Sequence, residues 1–211
     1  MVDETSEAPK QGRPKTFARD RAIDVAMETY WREGTDDVPL NEVCRRANVS
    51  KPGVYREFGG EDGLMDAALE RYGERVLPQM YAQIAEVRPF TEALEALLAF
   101  MTDTSHTMPP GCLLAKMRMV SSHLGPATQA RAEALSDDAR ARYAVWVERA
   151  KARGEITPSV PTDLAAAFID TQFTLLLVQM AAGAEPAMLR AHARLAFAGL
   201  TVGIDRAPPR S

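Results

Sequence analysis

The chain has 211 residues, of which 46% are hydrophobic and 26% charged, an ordinary globular composition that excludes disorder throughout and supplies enough apolar material for a core. Its 25 Lys and Arg stand against 29 Asp and Glu, a formal net charge of −4. That balance excludes a nucleic-acid binder working by sheer basicity, though not a local basic surface.

The first 15 residues combine Glu, Ser, Pro, Gly and Lys with almost no apolar side chains, and read as a flexible arm that turns basic at Lys10, Arg13 and Lys15. The arm lacks the apolar segment of a secretory signal. No run approaches the ~18 consecutive apolar residues of a membrane span, so no membrane partner and a cytoplasmic location are expected. The two cysteines, Cys44 and Cys112, form no redox or zinc motif.

Helical periodicity begins near Ala18, where Ile23, Ala26, Met27, Tyr30 and Trp31 make one apolar face that Gly34 ends. A short helix is expected from Pro39, with Leu40, Val43, Cys44 and Ala47 on its inner side. Asn48 and Val49 make a turn. Ser50 is a suitable N-cap for a second short helix reaching Phe58, before Gly59 and Gly60 break the chain. A longer helix starts at Asp62. Five more stretches follow, near 91–105, 112–123, 126–153, 161–183 and 185–203, separated by Pro and Gly breakers. No period-2 alternation suggests strands. The expected fold is all-α with about nine helices.

Residues 39–58 carry the functional signal. Two helices of about eight residues flank a short turn, the spacing of a helix-turn-helix whose second helix enters the major groove. Such a helix must bury one side and expose a short polar side, for which Ser50, Lys51, Gly53, Tyr55 and Arg56 are the candidates.

Residues 12 to about 72 resemble the DNA-binding region of the TetR/AcrR family of transcriptional regulators. The match is carried by Gly12-Arg13-Pro14, Ala26, Gly34, Val43, Val49-Ser50-Lys51, Tyr55, Phe58 and Leu64, and the phrase GCLLAK at Cys112 is similar to one in some members. The resemblance implies a homodimer that binds a palindromic operator in double-stranded DNA, usually represses, and releases DNA when a small molecule binds the C-terminal helices. It implies a flexible arm over 1–15, a helix-turn-helix domain over 16–60, a ligand-binding and dimerisation domain over 61–205 and a tail over 206–211. Lys51 and Tyr55 match family positions that contact DNA, and Ser50 matches the helix start. Arg13 and Lys15 of the arm follow phosphates, enter the minor groove or belong to a solvated tail, and Asn41 and Arg45 of the first short helix are placed to reach the DNA backbone. Arg56 suits a base contact, because guanidinium can bridge guanine O6 and N7.

Three positions depart from the family pattern. Gly53 stands where many members carry Thr or Ser, Glu57 where many carry His, and Glu61 where many carry Lys. Each removes an expected phosphate contact, which predicts weaker binding unless Glu57 accepts from a cytosine amino group. Val38-Pro39 also replaces the usual Thr/Ser pair.

For the effector, which the sequence does not identify, Met80, Ile84, Leu97, Met101, Met108, Cys112, Leu113, Met117, Val120, Tyr143, Trp146 and Phe173 are candidate lining residues, with core packing the competing role. Cys112 is expected at a helix N-terminus, where the dipole and Lys116 would favour a thiolate. The alternative function is therefore a helical interaction module, or a thiol-based electrophile or redox sensor, with weakened DNA binding. His106, Cys112 and His123 have metal-binding chemistry but no ligand spacing, so neither a metal nor a cofactor is expected. Ala165, Ala166, Phe168, Ile169, Leu175, Leu176 and Gln179, with Leu189, Ala193, Ala196, Phe197 and Leu200, supply apolar surface for a homodimer through about 161–203 or for a monomer core. No phosphate loop, His-Glu metal motif or nucleophile elbow is present, so an enzyme is not expected.

Overall fold

The computed structural model describes residues 18–103 and 108–201. Among these residues it is all-helical, with an isolated antiparallel bridge between Ile156 and Thr201. The helices are α1 (Arg19–Glu33), α2 (Leu40–Ala47), α3 (Lys51–Phe58), α4 (Glu61–Arg75), α5 (Leu77–Ala85), α6 (Phe90–Met101), α7 (Leu113–Met119), α8 (Pro126–Ala152), α9 (Thr162–Ala181) and α10 (Pro186–Ala198). A single 3-10 turn, Ser121–His123, follows α7.

The first three helices pack around the start of α4. Ala22, Ala26 and Tyr30 of α1 are buried with Val43 and Ala47 of α2, Val54 of α3, and Leu64 and Ala68 of α4. Gly63 lets α4 approach the end of α3, since a Cβ there would lie 1.9 Å from the Phe58 carbonyl oxygen. Arg71 of α4 bonds Asp24 and Asp20 of α1 at 2.5 and 2.8 Å, tying the same two helices at their solvent edge.

The helical stretch that begins near Asp62 is two helices, because Val76 leaves the α4 path and Pro78 sits in the first turn of α5. Inside a continuous helix, proline would lack its N–H and clash with the preceding turn. Similarly, α2 begins at Leu40 with Pro39 as its N-cap. No side chain caps it, since Val38-Pro39 brings no hydroxyl.

The longer helices form the body. Helix α8 packs against α4 and α9, and α9 packs also against α7 and α10. Trp146 stacks on Phe90 with ring centroids 4.4 Å apart, and Phe173 lies between Tyr143 at 5.8 Å and Phe197 at 5.1 Å. Helix α9 is long and apolar enough by composition to cross a membrane, at a mean hydropathy of 1.5. In the fold its buried Asp170 pairs with Arg118 of α7 at 2.9 Å.

The apolar surplus of α9 and α10 divides differently from the expected interface set. Ala165, Ala166, Ile169, Leu176, Leu189, Ala193, Phe197 and Leu200 are buried inside the chain's own core. Of the expected set Leu175 is exposed, and the other large exposed apolar side chains of these helices are Leu164, Met188 and Leu195, the last 78% exposed. Periodicity showed that both helices are rich in apolar residues, but not which stripe each would turn inward.

Candidate nucleic-acid interface and adjoining cavity

The turn between α2 and α3 is built by local chemistry. Asn48 ends α2 in the left-handed region at φ 56°, and its N–H reaches the carbonyls of Arg45 and Cys44. Ser50 then caps α3, its Oγ accepting from the Gly53 N–H at 3.1 Å. Pro52 lies in the first turn, where its missing N–H costs nothing. Helix α2 is fixed against α1 by the buried Val43 and Ala47, and α3 against α2 and α4 by the buried Val54.

This anchoring leaves Lys51, Tyr55 and Arg56 of α3 exposed on one side, beside exposed Asn41 and Arg45 of α2. Tyr55 is 52% exposed although it is aromatic. Gly53, expected on the exposed side, is buried instead. Its N–H is already committed to Ser50, so it belongs to the packed side of α3 and offers no side chain to a groove.

Charge around this face is partly spent within the protein. Arg45 makes two bonds to Glu42 at 2.8 and 2.7 Å, while Arg46 bridges Glu42 and Glu33. Hydrogen bonds from Arg45 and Arg46 hold the Glu42 carboxyl down to about 2. Glu57 faces Arg19 of α1 at 3.4 Å, and the same guanidinium lies over the Phe58 ring. The carboxylate that would repel phosphate therefore has a cation beside it. Arg13 and Lys15 of the arm lie outside the described residues.

Behind this head lies a cavity of about 320 Å3, at the lower end of small-molecule pockets. Its wall joins Trp31 of α1, Tyr72 of α4, Met80 of α5, Phe100 and Met101 of α6, the segment Met108–Cys112, and Leu177 and Met180 of α9. A small adjoining void of about 20 Å3 shares Leu77, Met80, Cys112 and Leu177 with it, and reaches Tyr81, Tyr143 and Phe173.

The expected lining residues separate accordingly. Met80, Met101, Met108 and Cys112 line the cavity, and Tyr143 and Phe173 line the adjoining void. Trp146, Met117, Leu97 and Leu113 are buried in packing away from both, Val120 is half-buried, and Ile84 borders a separate surface groove with Arg142 and Arg149. Trp146, Met117 and Val120, expected on the ligand wall, are therefore not on it. Trp146 stacks on Phe90, Met117 turns inward from α7, and Val120 follows the end of that helix. The sequence reading missed Trp31, Tyr72, Phe100, Leu177 and Met180. Trp31 carried the signal of a head-core residue, and only a distant contact turns its indole toward the cavity.

Of the two roles open to it, Cys112 agrees in its geometry with the buried one rather than the thiolate. It is the N-cap of α7, as expected, but it is buried, and burial pushes its thiol above the usual range. Hydrogen bonds from Tyr72 and from the Ala115 and Leu114 N–H groups do not overcome that burial. Lys116 does not serve the thiol, because its ammonium bonds the Trp31 and Arg32 carbonyls at the end of α1. His123 of the metal-type trio sits 3.0 Å from Asp36, far from a ligand cluster, and His106 lies outside the described residues.

Two family models match the chain, described as bacterial regulatory proteins of the tetR family over residues 22–68, and as a tetracyclin repressor-like C-terminal domain over 90–196. Among curated relatives, the chain is 32% identical over 119 residues to the HTH-type transcriptional repressor ComR of Escherichia coli K12, covering 54% of this chain and 57% of that one. It is 32% identical over 88 residues to the repressor BdcR of the same organism, covering 41% and 44%. The chain thus spans about half the length of these curated relatives. Among solved structures, a cysteine mutant of the TetR family regulator CifR, complexed with 26bp operator DNA, superposes with a TM-score of 0.72. That likeness covers 90% of this chain and 100% of the other at 23% identity, and so concerns the fold. With a helix-turn-helix head, a helical body and family models matching both, the chain belongs to the TetR family of bacterial transcriptional regulators.

Proposed function

We propose that this protein is a ligand-responsive repressor that binds a palindromic operator as a homodimer. The observation that carries this reading is the exposed Lys51, Tyr55 and Arg56 face of α3, held by buried contacts on its other side. Presented to the major groove, Lys51 and Tyr55 meet phosphates, Arg56 reaches a base edge, and Asn41 and Arg45 of α2 contact the flanking backbone. The arm with Arg13 and Lys15 follows the phosphates or the minor groove. The repressor names of ComR and BdcR, and the operator DNA bound by CifR, support the same reading. Bacterial DNA puts this activity in the cytoplasm.

A single helix-turn-helix reads too little DNA alone, so a second copy is required. Leu164 and Leu175 of α9, with Met188 and Leu195 of α10, supply an exposed apolar stripe for an isologous contact. Residues 16–60 then form the reading head and 61–205 the dimerising and sensing body. The cavity behind Trp31 is the effector site. A ligand that prefers one head spacing over the other shifts the equilibrium by that difference in affinity.

Selection from a random duplex DNA pool, at low salt and with ligand-stripped protein, tests the proposal. Enrichment of a palindrome with two half-sites supports it, and no enrichment of any sequence overturns it.

A further inference from the structure

We infer that the effector cavity takes an uncharged, largely apolar molecule, and that it discriminates against organic anions and organic cations of the same size. This rests on the reading of the cavity as an effector site, and concerns what that site admits.

The wall decides the ligand's charge. Among the described residues, no Lys, Arg or His lines the cavity. Its carboxylates are Asp103 and Glu185, and both are exposed at the solvent end. The deeper wall is Trp31, Phe100, Met101, Leu177 and Met180, with Tyr72 and Cys112 as its titratable groups. Tyr72 and Cys112 hydrogen-bond to each other and are buried, which keeps both in their neutral forms.

The cations nearby are already engaged. Arg190 donates to Thr102 Oγ1 at 2.7 Å from α10. Arg118, on the adjoining void, is held by Asp170 at 2.9 Å and Thr174 at 2.9 Å. Lys116 is turned to the α1 carbonyls. An anion entering the cavity would shed water without meeting a counter-charge among the described residues of the wall. A cation would find carboxylates only where water already solvates it. Transfer of an ion into such a site is unfavourable, whereas an apolar molecule gains by leaving water.

The inner end adds a neutral polar group. Tyr81 lines the adjoining void, and its buried hydroxyl has no hydrogen-bond partner among the described residues. A ligand hydroxyl or carbonyl can meet that phenol without carrying charge.

Three probes with one alkyl chain and different head charge make the test: octanol, octanoate and octylammonium. Each is titrated calorimetrically into the full-length protein at neutral pH, with tryptophan emission as a second readout. Trp31 lies on the wall, whereas Trp146 is packed on Phe90, so the emission change should persist in Trp146→Phe. Octanol is expected to bind more tightly than either ion by about tenfold or more. Octanoate or octylammonium binding as tightly as octanol overturns the inference, as does the absence of any octanol response. The calorimetric ranking in the unmodified protein decides the matter even if Trp146→Phe folds poorly. Retardation of operator DNA without ligand is measured in parallel, so failure of this inference is distinguishable from failure of the DNA-binding reading.

Discussion

The indole Nε1 of Trp31 donates to the carbonyl oxygen of Gly111 at 3.0 Å, a buried bond that joins the end of α1 to the segment before α7. Lys116 closes the same junction by bonding the Trp31 and Arg32 carbonyls. Gly111 is at φ 85°, and a Cβ there would lie 2.8 Å from the Ala181 Cβ and 3.0 Å from the Leu177 oxygen. The wall of the cavity is thereby fastened directly to the reading head.

Trp31→Phe keeps an aromatic ring but leaves the Gly111 carbonyl without its donor. A buried group orphaned in this way costs about 1–3 kcal/mol. The melting temperature should fall by about 2–12 °C, since each kcal/mol moves a chain of this size by about 2–4 °C. Ligand should also change operator affinity by a smaller factor than in the unmodified protein. Thermal melts and operator titrations with and without octanol check both statements.

On the DNA face, Lys51→Ala and Tyr55→Ala remove exposed side chains and should leave the melting temperature nearly unchanged. Each should weaken operator binding by about tenfold, the value of roughly 1.4 kcal/mol. Lys51→Ala should also reduce the salt slope by about one per protomer. Unchanged affinity in both variants would remove α3 from the interface.

Asp62 provides a pH-dependent stability test. Its carboxylate accepts from the Ala127 and Thr128 N–H groups at 2.9 and 3.0 Å, and from Thr128 Oγ1 at 2.6 Å, capping α8 from α4. Burial pushes this carboxyl up, but the hydrogen bonds from Thr128 and Ala127 outweigh it and the net shift is downward. A lowered folded value means the stabilisation is fully present above the unfolded aspartate value near ~3.9, and is lost as pH falls through the folded one. At neutral pH, Asp62→Ala should cost about 1–2 kcal/mol, as loss of a cap does. The gap between the two proteins should close as the pH is taken below about 4, which melts across a pH series will show.

Cys112 should react slowly. Its thiol is buried and pushed above the usual range by that burial, so little thiolate exists at neutral pH. Iodoacetamide should modify it at least about tenfold more slowly in the folded protein than in urea. Rapid labelling of Cys112 in the folded protein, read by mass spectrometry, would contradict this geometry and revive thiol sensing.

The exposed stripe on α9 and α10 predicts the effect of charge there. Leu195→Glu and Leu175→Glu place carboxylates on surface that is 78% and 50% exposed in the single chain, so neither should unfold it. Both should shift the protein from dimer to monomer in sedimentation, with loss of operator retardation. A dimer that persists in both variants would move the interface elsewhere.

The sequence by itself determined the parts of this protein that depend on neighbours three to four residues apart. Most helix positions (the α4–α5 break excepted), the Asn48 to Ser50 turn, the Ser50 cap and the exposed Lys51, Tyr55 and Arg56 of α3 follow from periodicity, glycine, proline and capping chemistry. Their energetics are local, so they can be read locally. Tertiary structure decided what depends on contacts across the chain. It buried Gly53, paired Glu57 with Arg19, turned Lys116 away from Cys112 and split the apolar residues of α9 and α10 into core and surface. It also assembled the cavity from α1, α4, α5, α6 and α9, with Trp31 and Gly111 meeting across 80 residues. Helical spacing identifies which side chains share a stripe. Which neighbour buries that stripe, and which buried group loses its charge, is fixed only when the helices pack.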